Sequence, residues 1–235
     1  MIAIYKRELK AYFLTPIGYI FCGMYLAVSG LAFADTTLLE QSTSSLPTYF
    51  LYMMAIFAIL IPLLTMKLFA EDRKSRTEQV LLTAPVSLTG MIMGKYFAAL
   101  TVFAATFLVN SFNFVLLFQY GSPNTASIFS NILGLFLIGC AFIAIGAFLS
   151  ALTENQLIAA VTSIGSIAAI LVVSFVADKI GVQWVRVVLK WFSIINRYAP
   201  FTNQQLDITA IVYFFSLSAV FLFLTVRVYE KRRWS

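Results

Sequence analysis

Charged positions in this chain fall in short clusters, and long uncharged runs lie between them. Lys10 and Asp35 bracket 24 uncharged residues, Glu40 and Lys67 bracket 26, Glu154 and Asp178 bracket 23, and Asp207 and Arg227 bracket 19. Lys95 and Glu154 bracket 58, enough for two passes, and the turn cluster "QYGSPNTAS" at 119–127 divides that run. A helix of about 20 mostly apolar residues crosses a bilayer. The pattern therefore predicts an all-α integral membrane fold, a single transmembrane domain over 1–235. Its six spans lie near 16–34, 49–68, 94–118, 129–151, 157–176 and 208–227. The apolar runs are continuous rather than alternating, which argues against a membrane β-barrel.

The connectors carry their own patterns. In "IAIYKRELKAYFL" (2–14), Ile2, Tyr5, Leu9 and Tyr12/Phe13 recur at helical spacing while Lys6, Arg7 and Lys10 lie off that stripe. This predicts an N-terminal amphipathic helix in the membrane interface, although a plain positive flank has the same composition. Pro16 suits the first turn of span one. The basic flank, the apolar run and "AFA" at Ala32–Ala34 imitate a secretory signal. The run exceeds the usual 7–15 residues of such a segment, so an uncleaved first span is expected. In "LTENQ" (152–156), Thr153 and Gln156 have capping-box spacing for span five. Glu154 is there either a coupling contact or a solvated first-turn charge. Before the last span, Lys179, Gln183, Arg186 and Lys190 share one helix face, and Trp184, Val187, Val188 and Trp191 the other. With Pro200 interrupting, this predicts two short interfacial or re-entrant pieces.

Composition agrees with a membrane protein: 61% of residues are hydrophobic, 11% are charged and the mean hydropathy is +0.91. The net charge of +6 is informative through its placement. With six spans the termini share one side. That side then holds twelve basic residues, Lys6, Arg7, Lys10, Lys67, Arg73, Lys74, Arg76, Lys95, Arg227, Lys231, Arg232 and Arg233. The other side holds four, Lys179, Arg186, Lys190 and Arg197. By the positive-inside rule both termini are cytoplasmic. The basic balance thus reads as membrane topology and implies no nucleic-acid partner.

Little in the chain resembles reaction chemistry. There are no histidines, and Cys22 and Cys140 both fall within spans, where small buried residues are the ordinary reading. No charge lies near the middle of a span, which argues against proton-relay pumping and against an intramembrane enzyme. Asn110, Ser111 and Asn113 are the polar residues of span three. They either line a substrate path or make interhelical hydrogen bonds. Gly146 and Ser150, and Gly165 and Ala169, follow small-xxx-small spacing. "GMIMGKY" (90–96) is one residue short of a phosphate loop, with Tyr96 where a Ser or Thr would bind magnesium. ATP binding by this chain is therefore not expected.

The densest charge lies between spans two and three, where six of the eight residues from Glu71 to Glu78 are charged. Each charge at mid-bilayer costs about 2.5–3.5 kcal/mol, so this segment must lie in water. It has no Gly or Pro from Glu71 to Leu82, and Pro85 disfavours helix at Ala84. A cytoplasmic helix ending near Thr83 is predicted, charged at one end and carrying Val80, Leu81 and Leu82 at the other. Such a helix fits a groove of another protein; a solvated topogenic loop is the alternative.

These residues also support a resemblance. "EDRKSRTEQVLLTAPVSLTGMIMGKYFA" (71–98) resembles the cytoplasmic signature of type-two ABC exporter permeases, carried by Glu71, Arg73, Lys74, Thr77, Glu78, Leu81, Leu82, Pro85, Val86, Ser87, Gly94 and Lys95. "YKRELKAYFLTPIGYIF" (5–21), "LTENQLIAA" (152–160) and "RVYEKRRW" (227–234) are similar to the gliding-motility branch of that family. The resemblance implies a bacterial inner-membrane exporter subunit that forms half of a substrate pathway with a second permease half. It implies two cytoplasmic ATPase subunits that hold ATP and Mg, with no cofactor on this chain, and a gliding-motility-type auxiliary membrane subunit. It implies that the segment between spans two and three is a coupling helix; with the reading of the residues themselves, the expected ATPase-coupling residues are Glu71, Asp72, Arg73, Arg76, Thr77, Glu78, Leu81, Leu82, Pro85 and Glu154. Around 196–206, "NRYAPFTNQQL" departs from the branch, which bears on the outer mouth. A non-transporting membrane scaffold is the alternative function.

Overall fold

The computed structural model describes the chain except for residues 39–45, 80–85, 121–123, 178–182, 206 and 235. The described elements are helices: α1 (Ile2–Leu14), α2 (Pro16–Phe33), α3 (Leu46–Thr65), α4 (Lys67–Lys74), α5 (Leu88–Asn110), α6 (Asn113–Tyr120), α7 (Thr125–Leu152), α8 (Gln156–Ala177), α9 (Gln183–Phe192), α10 (Ile194–Thr202) and α11 (Ile208–Trp234). A short π-helical turn, Ala34–Leu38, extends α2. Six of these segments are long and apolar enough to cross a membrane, as the uncharged runs predict. The chain is a multi-pass, all-helical membrane protein.

The bounds are set by local chemistry. Pro16 occupies the first turn of α2, where its missing N–H costs no bond. Ser87 and Asn124 cap α5 and α7 by accepting backbone N–H groups of Gly90 and of Ala126 and Ser127. For α8 the cap is Asn155 rather than Thr153. The Asn155 side chain accepts the N–H of Leu157, while Thr153 Oγ1 accepts the N–H of Asn155 itself. At α11, Asp207 accepts the N–H of Thr209, and bonds from the Thr209 side chain and backbone lower its carboxyl pKa.

The bundle is centred on α7 and α3. In the second and fourth spans 72% of the apolar window is buried, against 28% in the first, fifth and sixth. Helix α7 touches α3, α5, α8, α10 and α11. Gly139 makes one of these approaches possible, because a Cβ there would overlap the ring of Phe103 on α5. Phe57, Phe103, Phe107 and Phe136 then form a chain of ring contacts linking α3, α5 and α7.

Two departures from the predicted elements are informative. Span three, expected to continue to 118, breaks after Asn110 at a turn over Ser111 and Phe112 before α6 begins. The 178–206 connector resolves into α9 and α10 among the described residues, as expected, but Pro200 lies inside α10 instead of dividing them. Ser193 ends one helix and caps the other by accepting the Asn196 N–H. Trp184 and Trp191 face outward, and Tyr198 of α10 donates to Asn131 of α7 at 2.7 Å. This packing anchors the short helices on the bundle.

Candidate functional site

The charged segments gather at one end of the bundle. Helix α1 turns Ile4, Glu8 and Tyr12 inward and leaves Ile2 and Phe13 exposed, so its buried stripe is rotated from the purely apolar one expected. The inward Glu8 meets Lys95 of α5. The Lys95 ammonium, on a residue only 1% exposed, lies 3.0 Å from Glu8 Oε1, 2.6 Å from Asp72 Oδ2 and 2.7 Å from the Leu68 carbonyl. Its three protons thus have three oxygens. Arg7 supplies a second cation, 2.5 Å from Glu8 and 3.5 Å from Asp72. Two cations balance two anions, the condition for holding charge out of water. This quartet joins α1, α4 and α5. Beside it, Lys67 donates to Thr15 at 2.9 Å and lies 3.5 Å from Glu71, while Tyr12 donates to the Leu64 carbonyl at 2.9 Å.

The predicted helix over 71–83 is not continuous. Helix α4 ends at Lys74, and Arg76 adopts φ 59°, a left-handed conformation that stops a helix. The turn is held by the Ser75 hydroxyl donating to the Glu71 carbonyl, and by Thr77 Oγ1 donating to Asp72 Oδ1 at 2.8 Å. Only residues 77–79 return to helix before the segment that leaves the described residues, which takes with it Leu81, Leu82 and Pro85.

Several charges assigned to coupling are spent within the chain. Arg73 pairs with Glu154 at 2.7 Å and donates to the Leu152 carbonyl at 3.2 Å. Glu154 is thereby a strap from the α7–α8 turn to α4 rather than a free first-turn charge. Glu78 is buried and pairs with Arg232 of α11 at 3.2 Å; Arg232 also donates to the Ala151 carbonyl at 2.5 Å and stacks on Tyr229. Arg76 and Thr77 stay exposed. Glu71, Asp72, Arg73, Arg76, Thr77, Glu78 and Glu154 therefore occupy one region, fastened to α1, α5, the α7–α8 turn and α11.

The polar residues of span three meet different partners. Asn110 is buried; its Oδ1 accepts from Ser29 at 2.7 Å and Asn113 at 2.9 Å, and its Nδ2 donates to Tyr49 at 3.0 Å. Ser111 donates to the Phe107 carbonyl at the helix break. These bonds make a packing node that ties α2, α3, α5 and α6. Asn110→Leu is expected to lower stability by about 1–3 kcal/mol, because it removes three bonds and strands partners in an apolar bundle. Thermal unfolding of the detergent-solubilised protein measures this, and an unchanged midpoint would show that the node contributes nothing.

The decisive comparison is with protein families: the model described as ABC-2 family transporter protein matches residues 24–229. The chain belongs to the ABC-2 family. The ABC-2 chain is accordingly the membrane permease of an ABC transporter, a transport subunit and not itself the catalyst, and its family implies ABC ATPase partners. No curated protein matches it. Among the described residues of the permease, no group of three metal-binding side chains comes together. "GMIMGKY" has a structural use instead. Gly94 admits the backbone of Met1 and Tyr5, Lys95 centres the ionic quartet, and Tyr96 donates to the Cys140 carbonyl. Sequence pattern alone missed Glu8 and Arg232 as parts of this site. A carboxylate four residues from Ile4 and four from Tyr12 on one helix face was the available sign for Glu8.

Proposed function

We propose that this ABC-2 permease is an exporter subunit driven by separate ATPase subunits, and that the segment from α4 through 75–87 is where it receives their work. The observation that supports this reading most directly is the ionic fastening of α4 and Glu78 to four other elements at one end. A push on the segment would move α1, α5, the α7–α8 turn and the end of α11 together, instead of being absorbed by a loose loop. In this reading the charged end is cytoplasmic, as the positive-inside count supports, in a bacterial inner membrane. ATP and Mg reside on the ATPases. The second permease half packs against α2 and α8, whose faces are mostly exposed and where Gly23 and Gly165 have open space beside them. Spans one, two and five then rock about a central path. A gliding-motility-type auxiliary subunit belongs to the same proposal.

The test uses the permease co-expressed with its ATPase. Leu81→Asp with Leu82→Asp is expected to abolish co-purification of the ATPase while leaving the permease's unfolding midpoint in place. Undiminished association and undiminished hydrolysis in membranes would overturn the coupling reading and favour a non-transporting scaffold.

A further inference from the structure

Helices α5, α7 and α11 enclose an apolar groove of about 510 Å³, within the ~300–1,000 Å³ range of small-ligand clefts. It is separate from the charged quartet, the asparagine node, and the α2 and α8 faces. Its lining includes Phe97 and Leu100 of α5, Phe136 of α7, and Ala219, Leu222 and Phe223 of α11. Tyr96, also in the lining, is already bonded to the Cys140 carbonyl, so the cleft offers few polar groups to an occupant. Along α11 the lining runs from Phe214 to Val226, about 18 Å at ~1.5 Å per residue. That is comparable with one leaflet of a hydrocarbon core ~30 Å thick. The groove ends at the charged side of the bundle, where Arg227 stacks on the groove-lining Phe223 at 4.9 Å and pairs with Glu230 at 2.7 Å. Both side chains are exposed, with relative accessibilities of 61% and 40%. An exposed pair of this kind contributes little to stability and reorganises easily around a ligand.

We infer that this groove holds one acyl chain of a zwitterionic aminophospholipid, with its phosphate on Arg227 and its ammonium on Glu230. The length and apolarity of the cleft match a chain from the adjoining leaflet. The adjacent cation and anion match a phosphate–ammonium dipole better than a purely anionic headgroup, which Glu230 would repel. The occupant would space α11 from α5 and so support the helix whose end carries Arg232 to Glu78.

Native mass spectrometry of the detergent-solubilised permease tests this, with phosphatidylethanolamine or phosphatidylglycerol of identical chains added. The expected result is one retained lipid per chain and a several-fold preference for phosphatidylethanolamine. Ala219→Trp fills the groove from its exposed side, and should remove the retained lipid while the lipid-free unfolding midpoint stays unchanged. Arg227→Gln with Glu230→Gln should keep a lipid bound but erase the headgroup preference. Retention unaffected by Ala219→Trp would overturn the proposal, as would equal retention of both lipids by the unaltered protein. Crosslinking of Ala219→Cys to a transmembrane helix of another subunit, with no lipid retained, would assign the groove to a protein partner instead.

Discussion

Lys95→Ala is expected to destabilise the permease by about 3–5 kcal/mol, the usual cost of removing one partner from a buried ionic cluster. Coulomb attraction between surface charges does not set this magnitude. Glu8 stays buried and Asp72 partly buried after the substitution, and Arg7, itself half exposed, is then the cation facing both carboxylates. The Leu68 carbonyl loses its donor as well. The permease should unfold at a lower temperature in detergent, and α1 should become accessible to protease, because Glu8 is its polar anchor on α5. The test of mechanism is a second variant. Lys95→Met with Glu8→Gln leaves Arg7 opposite Asp72, a neutral pair, and restores packing around an apolar side chain. It should recover most of the lost stability. A single substitution costing under about 1 kcal/mol, the range of a surface pair, would show that water reaches the cluster. Failure of the double variant to recover would show that charge balance is not what holds it.

The quartet also marks the boundary of what the sequence makes legible. Span number and approximate position follow from length and apolarity, which the bilayer imposes on any crossing helix. The two short helices before the last span were visible for a similar reason, since the alternation of basic and Trp-bearing faces is a property of one segment. What pattern could not show is where a charge goes when it has a partner elsewhere in the chain. Glu8 reads as a polar residue of an amphipathic helix, yet it points inward because Lys95, 87 positions away, is there to meet it. Glu78 reads as a docking residue, yet Arg232 meets it from 154 positions away. The break at Arg76 was hidden because residues 71–82 contain no Gly or Pro and as a run favour helix. The Ser75 and Thr77 side chains overrule that preference by bonding back to Glu71 and Asp72. The break after Asn110 is accompanied by a bond from Asn113 to Asn110 Oδ1 beside Ser29 and Tyr49, which a continuous helix would also permit, so nothing in this contact announces the turn.

Gly146→Leu is expected to cost at least about 1–3 kcal/mol through overpacking, and to impair ATPase coupling beyond that loss. A Cβ at Gly146 would overlap Thr65 Oγ1 and lie 2.9 Å from Thr65 Cβ. Thr65 is the last residue of α3, with α4 beginning two residues on. One turn along α7, Ser150 accepts the N–H groups of Phe69 and Ala70 at 3.1 and 3.2 Å and donates to the Met66 carbonyl at 3.0 Å. Gly146 and Ser150 therefore hold the α3–α4 joint against one face of α7, Gly146 at Thr65 and Ser150 at Met66, Phe69 and Ala70, a specific use of the small-xxx-small spacing. Gly165 of the companion pair instead has open space. A leucine at 146 must push α4 away, and α4 carries Asp72 to Lys95 and Arg73 to Glu154. Gly146→Ala with Thr65→Ala exchanges volume across the contact. In a double-mutant cycle this pair should be more stable than the sum of its single substitutions predicts, by about 0.5–3 kcal/mol. Under the proposed coupling, hydrolysis by a co-expressed ATPase should track the same cycle, because α4 begins at this joint. Additive stabilities would show that Gly146 and Thr65 are not in rigid contact. Coupled stabilities with hydrolysis unchanged would separate the joint from transmission and leave the work to be received elsewhere on the charged end.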